Sequence, residues 1–177
     1  MNAAQTIWSY AIAVSLLAAW MDWRTRRIPN WLTVPAVALG VGINTILAGW
    51  AGAKASLEGM GLAMLLLLPF VVMRGLGAGD WKLMAAVGAL LGPVLFLLAL
   101  FVSVLVSGLM AFVHMFRLGR TMETLRNLAV LVRGFVTFGM RPHREISLDN
   151  PKLLKLPFGV ATAIAVVICC AVERPFF

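Results

Sequence analysis

Residues 75–83 read GLGAGDWKL and interrupt an otherwise apolar stretch of the chain. Apolar runs lie on both sides, at residues 56–73 and 80–92, so the glycines mark a turn between two long hydrophobic segments. The turn also carries a lone carboxylate, Asp80, next to residues suited to hydrocarbon, where an acid is costly unless it has a task. This stretch therefore bears on both the fold and the function.

The composition indicates an integral membrane protein. Of the 177 residues, 62% are hydrophobic and 12% are charged, whereas soluble domains are about 45–50% apolar and about 25% charged. The apolar residues form continuous runs and lack the alternation of barrel strands, which favours helices. We therefore predict an all-α, polytopic membrane protein that forms a single domain over residues 1–177.

The apolar runs and the basic residues together predict the topology. Apolar runs that suit spans lie at residues 6–22, 31–50, 56–73, 80–92, 94–116 and 156–172. The fourth is short against the roughly 20 residues that a tilted span needs. Residues 83–116 could instead form one helix kinked at Pro93, which would leave five spans. With six spans and the amino end outside, every Lys and Arg except Lys54 and Arg174 falls on one side. The positive-inside rule then favours six spans and makes that side the cytoplasm.

The first apolar run and the long basic loop each allow a further prediction. No Lys or Arg precedes the first apolar run, unlike in a signal peptide, so we expect an uncleaved first helix.

The long loop, residues 117–155, has apolar residues near helical spacing with Arg126 and Arg133 between them. This is typical of an amphipathic helix on the cytoplasmic face, although a solvated connector is the alternative. Since the net charge of +8 comes from such loop residues, we expect no nucleic-acid partner.

We expect neither a metal nor a cofactor. The adjacent Cys169 and Cys170 lie inside the last apolar run and are interpreted as small packing residues, and the chain contains no C-x-x-C pair. His114 and His143 each stand alone, and we assign neither a role.

Two of the seven acidic residues are predicted to lie at one depth of the membrane. The first helix runs from outside to inside, so Asp22 falls at its cytoplasmic end, and the fourth helix begins at the cytoplasm with Asp80. Two carboxylates brought together and partly desolvated cannot both stay ionised, so one keeps a proton. An aspartic protease needs this arrangement, because one member takes a proton from water while the other polarises the scissile carbonyl. We therefore predict that these residues are a catalytic pair.

The residues around the acids suit a substrate, although each has a plainer interpretation. Gly77 and Gly79 have no side chains, so an extended backbone could come close to Asp80. Pro29 halts the chain before the second span, and Asn30 is well placed to cap that helix. In the plainer interpretation, the acid of the first helix caps a helix or pairs with a nearby arginine, and the glycines serve packing or a loop.

Three segments resemble, in order, the motifs of one known family. The segment DWRTRRIPN (22–30) matches the pattern D-x-R-x-x-x-I-P-N, and GAGDWKL (77–83) matches G-x-G-D-x-K-L. A looser feature, P-[YF]-G before the last helix, is present as PFG at residues 157–159. These are motifs of the type IV prepilin peptidases, membrane aspartic proteases of the G-x-G-D kind. The motif order and the six-span layout extend the resemblance over nearly the whole chain.

The resemblance implies a peptidase that removes the short basic leader of prepilin-like precursors at the cytoplasmic face of the bacterial inner membrane, with Asp22 and Asp80 as its catalytic pair. The residues expected to bind substrate are Gly77, Gly79, Lys82, Arg24, Pro29 and Asn30. Long members also methylate the new amino terminus and carry a cysteine-rich insertion, which this chain lacks, so methylation is not expected. The compact size resembles the short peptidases of tight-adherence (Flp) pilus systems, while archaeal preflagellin peptidases stay an alternative.

The expected partners are a prepilin-like substrate and membrane lipids. The hydrophobic helix of the substrate would pack among the spans beside small residues, namely Gly40, Gly42, Gly59 and Gly61. The cations Lys82 and Arg24 could hold the substrate near the acids or meet lipid phosphates.

Two other functions compete with proteolysis. A small ion-coupled transporter would use Asp22 and Asp80 as cation or proton sites, but both acids lie at one face and no second polar set marks a path across the membrane. A non-catalytic pilus-assembly scaffold would only pair the acids with arginines.

Overall fold

The computed structural model describes residues 3–118 and 157–173, which are helical except at the connections 26–29 and 73–77 and at Pro157. No strand occurs in those residues, so the predicted all-α fold is confirmed. The amphipathic helix predicted within the 117–155 loop lies outside the described residues. The helices are α1 (Ala3–Thr25), α2 (Asn30–Val72), α3 (Ala78–Leu118) and α4 (Phe158–Glu173).

Helices α2 and α3 are each interrupted once. The backbone leaves helical geometry at Ala48 and Gly49 in α2, and at Gly92 in α3. Both glycines have positive φ, of 59° and 73°, which a residue with a side chain adopts only with strain. The breaks lie near predicted span boundaries, and they divide the two helices into α2a (30–47), α2b (50–72), α3a (78–91) and α3b (93–118).

The break in α2 is a hairpin, since residues on either side of it pack against each other. The side-chain amide of Asn44 donates to Ser56 Oγ at 2.9 Å, and the Ser56 hydroxyl donates to the Gly40 carbonyl at 3.3 Å. Nearer the break, Gly52 lies so close to Asn44 that an added Cβ would overlap the Asn44 carbonyl, whereas Ser56, further after the break, reaches back to Gly40. The halves α2a and α2b are therefore antiparallel.

The break in α3 leaves two carbonyls without their helical donors, and Asn44 supplies the replacement. Pro93 follows Gly92 and has no N–H, so the Ala89 carbonyl loses its partner four residues on. The Asn44 amide lies 3.1 Å from the Ala89 oxygen and 3.0 Å from the Leu90 oxygen. An unpaired carbonyl is costly in an apolar interior, so this contact stabilises the break.

The chain also reverses at the break in α3. Phe96 and Leu100 of α3b pack with Met84 of α3a and with Ala63 and Leu67 of α2b. All five side chains are buried. The halves α3a and α3b therefore lie side by side, and the described residues form six helical segments.

Helix α4 lies antiparallel to α1. Trp8, near the start of α1, belongs to a buried cluster with Cys169 and Cys170 near the end of α4. At the opposite end of the pair, Asp22 contacts Gly159. Both cysteines are free and buried, as expected for small packing residues.

Two of the glycines assigned to substrate packing are occupied by the fold itself. A Cβ added at Gly40 would lie 2.9 Å from the α3 backbone, and one added at Gly59 would overlap the Gly88 carbonyl. The prediction that these two face a substrate helix is therefore wrong, because they allow α2 to approach α3. Gly42 and Gly61 have nothing within 4 Å of the added Cβ.

The surface of the bundle is that of a membrane protein. Helices α1, α2 and α3 are long and apolar enough to cross a membrane, and α4 is a shorter apolar helix. Large apolar side chains face outward, and Trp23 and Trp31 at one end and Trp50 at the other are each more than half exposed. Tryptophan at both ends is typical of the two interfaces of a bilayer. The six-span count and the outside amino end remain predictions.

Candidate active site

Four helix ends that carry the sequence motifs meet at one end of the bundle, which we call the site end. They are the last turns of α1 and the first turns of α2, α3 and α4. Direct contacts join them, from α1 to α4 and from α3 to the residues that connect α1 with α2. The segments 22–30, 77–83 and 157–159 therefore come together in space.

Asp22 lies on the last turns of α1 and is 7% exposed. Its Oδ2 accepts a hydrogen bond of 2.9 Å from the backbone N–H of Gly159, the second residue of α4. The first N–H groups of a helix have no partner within the helix, and they carry the positive end of its dipole. The start of α4 thus gives this buried carboxylate a donor and a favourable field.

Asp80 lies in the first turn of α3 and is partly buried. The backbone N–H of Gly77 hydrogen-bonds its carboxylate, and the Gly77 carbonyl accepts the N–H of Trp81 at 3.0 Å. A side chain that reaches back to the residue before its helix resembles a capping box. The carboxylate is thus held at the beginning of α3.

The charges of Asp22 and Asp80 are close enough to act on each other. Repulsion between like charges is stronger at a partly buried site than in bulk water, because the effective dielectric constant is lower. The structure therefore brings together the two acids that the predicted topology placed at one depth. Their catalytic role remains a prediction.

Gly79 is the point at which the two acid-bearing segments touch. A Cβ at this position would lie 3.1 Å from Ile28 Cβ and 3.2 Å from the Ile28 carbonyl oxygen. Ile28 therefore occupies the space beside Gly79 that was predicted to admit a substrate backbone. Glycine at this position lets the start of α3 lie against the chain that follows α1.

A second contact between the segments joins Lys82 to Asn30. Lys82 Nζ donates to Asn30 Oδ1 at 2.9 Å. The prediction that Asn30 caps α2 is wrong, because Pro29 is the N-cap, with φ −78° and ψ 152°, and Asn30 is already helical. Since the Pro29 carbonyl accepts the first helical N–H groups, the Asn30 side chain is available to Lys82.

The remaining residues of the motifs lie around this contact. Leu83 is fully buried in a cluster with Ile28, which fixes α3 against the connection between α1 and α2. The Trp81 indole N–H donates to the Met64 carbonyl at 3.0 Å, which ties the same turn to α2b. Arg24 holds its guanidinium 5.7 Å from the ring centre of Trp20. The substrate-binding roles assigned to residues of these motifs remain predictions.

The described residues contain no group of three or more His, Cys, Asp or Glu side chains that could hold a metal ion. His114 is exposed on α3, and His143 lies outside the described residues.

Sequence reasoning did not assign Phe158 and Gly159 to the site. Gly159 donates to Asp22, and Phe158 packs against the same buried cluster as Leu76 and Trp81, which lie on either side of the turn that carries Asp80. The signal was present in the PFG segment, but no sequence pattern shows that a backbone N–H will meet a carboxylate 137 residues away.

Comparison with known families gives one match. The sequence model of the type IV leader peptidase family matches residues 9–112, which include Asp22 and Asp80. No curated protein and no solved structure matches the chain.

Proposed function

Because the chain belongs to the type IV leader peptidase family and is therefore a protease, we propose that it is an aspartic endopeptidase with Asp22 and Asp80 as its catalytic pair. Its substrates are prepilin-like precursors, from which it removes the short leader. The compact sequence, in which no C-x-x-C pair occurs, supports the proposal that it is of the short tight-adherence type.

The observation that carries this proposal is the direct contact between the two acid-bearing segments. Gly79 lies against Ile28, and Lys82 donates to Asn30. If the acids only capped helices, each could do so without the other segment. Here the two segments hold each other in place, and the carboxylates act on one another.

The chemistry follows from two neighbouring carboxyl groups that share one proton. The ionised carboxylate takes a proton from water as the oxygen attacks the scissile carbonyl carbon, and the protonated carboxyl donates to the carbonyl oxygen. In the collapse of the tetrahedral intermediate, the C–N bond breaks and the nitrogen takes up a proton. The products are the leader with a new carboxylate and the mature chain with a new amine.

We place the reaction at the cytoplasmic face of the inner membrane. The basic residues Arg24, Arg26, Arg27 and Lys82 belong to the segments that meet at the site end, and cytoplasmic ends are enriched in Lys and Arg. The hydrophobic helix of the substrate would extend into the bilayer from there, and Gly61 offers it a surface of close approach.

The test is to co-express the full chain with a pilin encoded beside it and to follow the size of the pilin on a gel. Asp22→Asn and Asp80→Asn, made separately, each remove one carboxylate at nearly constant volume and should each abolish processing. Glu58→Gln is the matched control, because Glu58 is an exposed acid paired with Lys54, away from the motifs, and this variant should process normally.

Cleavage retained by either aspartate variant, at normal levels of protein in the membrane, would contradict the catalytic pair. Unprocessed pilin with the wild-type chain, together with solute flux that depends on the aspartates, would favour the transporter instead.

A further inference from the structure

The first turn of α4 touches the surroundings of both aspartates. Gly159 donates its backbone N–H to Asp22. The neighbouring residue, Phe158, packs against the buried cluster of Ala63, Leu67, Met84, Phe96 and Leu100. Leu76 and Trp81, which precede and follow the turn that carries Asp80, pack against the same cluster. Two consecutive residues of one helix therefore connect to the two halves of the proposed pair, one directly and one through this shared cluster.

The contact at Gly159 leaves no room for a side chain. A Cβ there would lie 3.1 Å from both Asp22 Cβ and Asp22 Oδ2, closer than ordinary van der Waals contact, which begins at 3.4 Å. The Ala18 carbonyl oxygen would lie 3.4 Å away on the same side. Glycine thus allows the α4 backbone to lie directly on the carboxylate.

The helical turn that carries Phe158 is itself held by hydrogen bonds. Pro157, before it, is buried, and its carbonyl accepts the N–H of Val160 at 3.1 Å. One turn further along α4, the Thr162 hydroxyl donates to the Phe158 carbonyl at 3.1 Å. The Phe158 side chain is therefore carried by an ordered helical turn.

We propose that Phe158 and Gly159 are positioning residues that together set the separation of the Asp22 and Asp80 carboxylates. Gly159 holds Asp22 by a hydrogen bond, and Phe158 supports the turn that carries Asp80 through the buried cluster against which both pack. This inference rests on the proposed function, and it adds α4 to a site otherwise built from α1 and α3.

The first test is Gly159→Ala in the full chain, reconstituted in vesicles with a precursor pilin as substrate. Alanine keeps the N–H and adds only the methyl group that displaces the carboxylate. The 3.1 Å contact must open by about 0.3 Å to reach ordinary contact. Since a misplacement on the order of 1 Å can lower a rate about 100-fold, we expect kcat to fall by about fourfold and KM to change by less than about twofold. Gly108→Ala is the matched control, because nothing lies within 4 Å of an added Cβ there.

The pH profile separates a displaced carboxylate from a general loss of folded enzyme. A folding defect lowers the activity equally at every pH. A displaced Asp22 carboxylate changes how the pair shares its proton, so the pH profile of Gly159→Ala should change in shape. The other charged groups that act on Asp22, namely Arg26 and Asp80, are unchanged in this variant.

The second test is Phe158→Ala, which keeps the interaction at Asp22 and removes the packing against the buried cluster that supports the Asp80 turn. We again expect a lower kcat with little change in KM, while Phe101→Ala, an exposed phenylalanine on α3, should behave as wild type.

Wild-type kcat and an unchanged pH profile in Gly159→Ala would overturn the inference and leave the proposed function intact. So would wild-type kcat in Phe158→Ala. If the wild-type chain itself cleaves no precursor under these conditions, the proposed function fails instead.

Discussion

Gly77→Ala should separate activity from stability, because its one close contact is with the Asp80 side chain. A Cβ at this position would lie 2.9 Å from Asp80 Oδ2 and 3.7 Å from Asp80 Cγ, and the contacts that would limit the added methyl group are with this side chain alone. The backbone at Gly77 does not have positive φ, so alanine adopts it without strain. The substitution therefore moves a carboxylate and leaves the helices in place.

The size of the effect follows from the distance. Ordinary contact begins at 3.4 Å, so the carboxylate must move by about 0.5 Å, which is the tolerance of a catalytic group. If about 1 Å costs about 100-fold, this displacement costs about tenfold in kcat, or about 1.4 kcal/mol of activation free energy. The free energy of unfolding should not fall, since replacing glycine by alanine in a compatible conformation stabilises by about 0.4–1 kcal/mol.

Gly79→Ala is the informative comparison, because its added Cβ meets backbone atoms of Ile28 as well as a side chain. Backbone cannot rotate away, so we expect this variant to lose about 1–3 kcal/mol of stability. The assay is pilin processing by purified protein in vesicles, with thermal unfolding in detergent measured on the same samples. Gly108→Ala is the control for both measurements.

Two results would refute this reasoning. One is a Gly77→Ala enzyme with wild-type kcat, which would show that the Asp80 carboxylate tolerates the displacement or takes no part in the reaction. The other is a Gly77→Ala protein that unfolds as early as Gly79→Ala, which would show that the lost activity reflects the fold.

Two further predictions concern polar contacts between helices. Lys82→Met and Asn30→Ala remove the same hydrogen bond, so a double-mutant cycle on the processing rate should give an interaction free energy of about 1 kcal/mol between them. Additive effects would show that the two side chains act independently. Asn44→Ala leaves two α3 carbonyls without their donor and should lower the free energy of unfolding by about 1–3 kcal/mol. Thr45→Ala, an exposed neighbour that bonds only within its own helix turn, should stay within about 0.5 kcal/mol of wild type in the same thermal unfolding assay, and an equal loss in both variants would contradict the role of Asn44.

The features that depend on chain order and composition could be predicted from the sequence. Continuous apolar runs gave the all-α fold, and the family could be identified from two short segments. The break at Gly92 was foreseeable because Pro93 follows a glycine within an apolar run. Placing Asp22 and Asp80 at one depth required only the alternation of helix directions.

The features that depend on which helix faces which could not be predicted. Gly40 and Gly59 look like open small residues in the sequence, but they are the contact surface for α3. Asn30 has a side chain that often caps helices, but here it accepts a hydrogen bond from Lys82 of another helix. The donor at Gly159 is a backbone N–H, which every residue except proline carries, so the type of residue does not reveal that it will bind a carboxylate.

Two of the helical segments that meet at the site end, α3a and α4, are short, and this has a mechanical consequence for the bilayer. At 1.5 Å per residue, α3a rises roughly 21 Å and α4 roughly 24 Å, against about 30 Å for the hydrocarbon core. Both begin beside the aspartates. Helix α3a is buried within the bundle, whereas α4 has outward-facing Ile164, Val167 and Ile168, so the bilayer beside α4 must thin or leave the ends of this helix submerged. Thinning costs only fractions of a kcal/mol per Å. A locally thin bilayer would bring water to the depth of the carboxylates, and a longer substrate helix that enters it would extend beyond the hydrocarbon at its leader end, where its backbone can unwind.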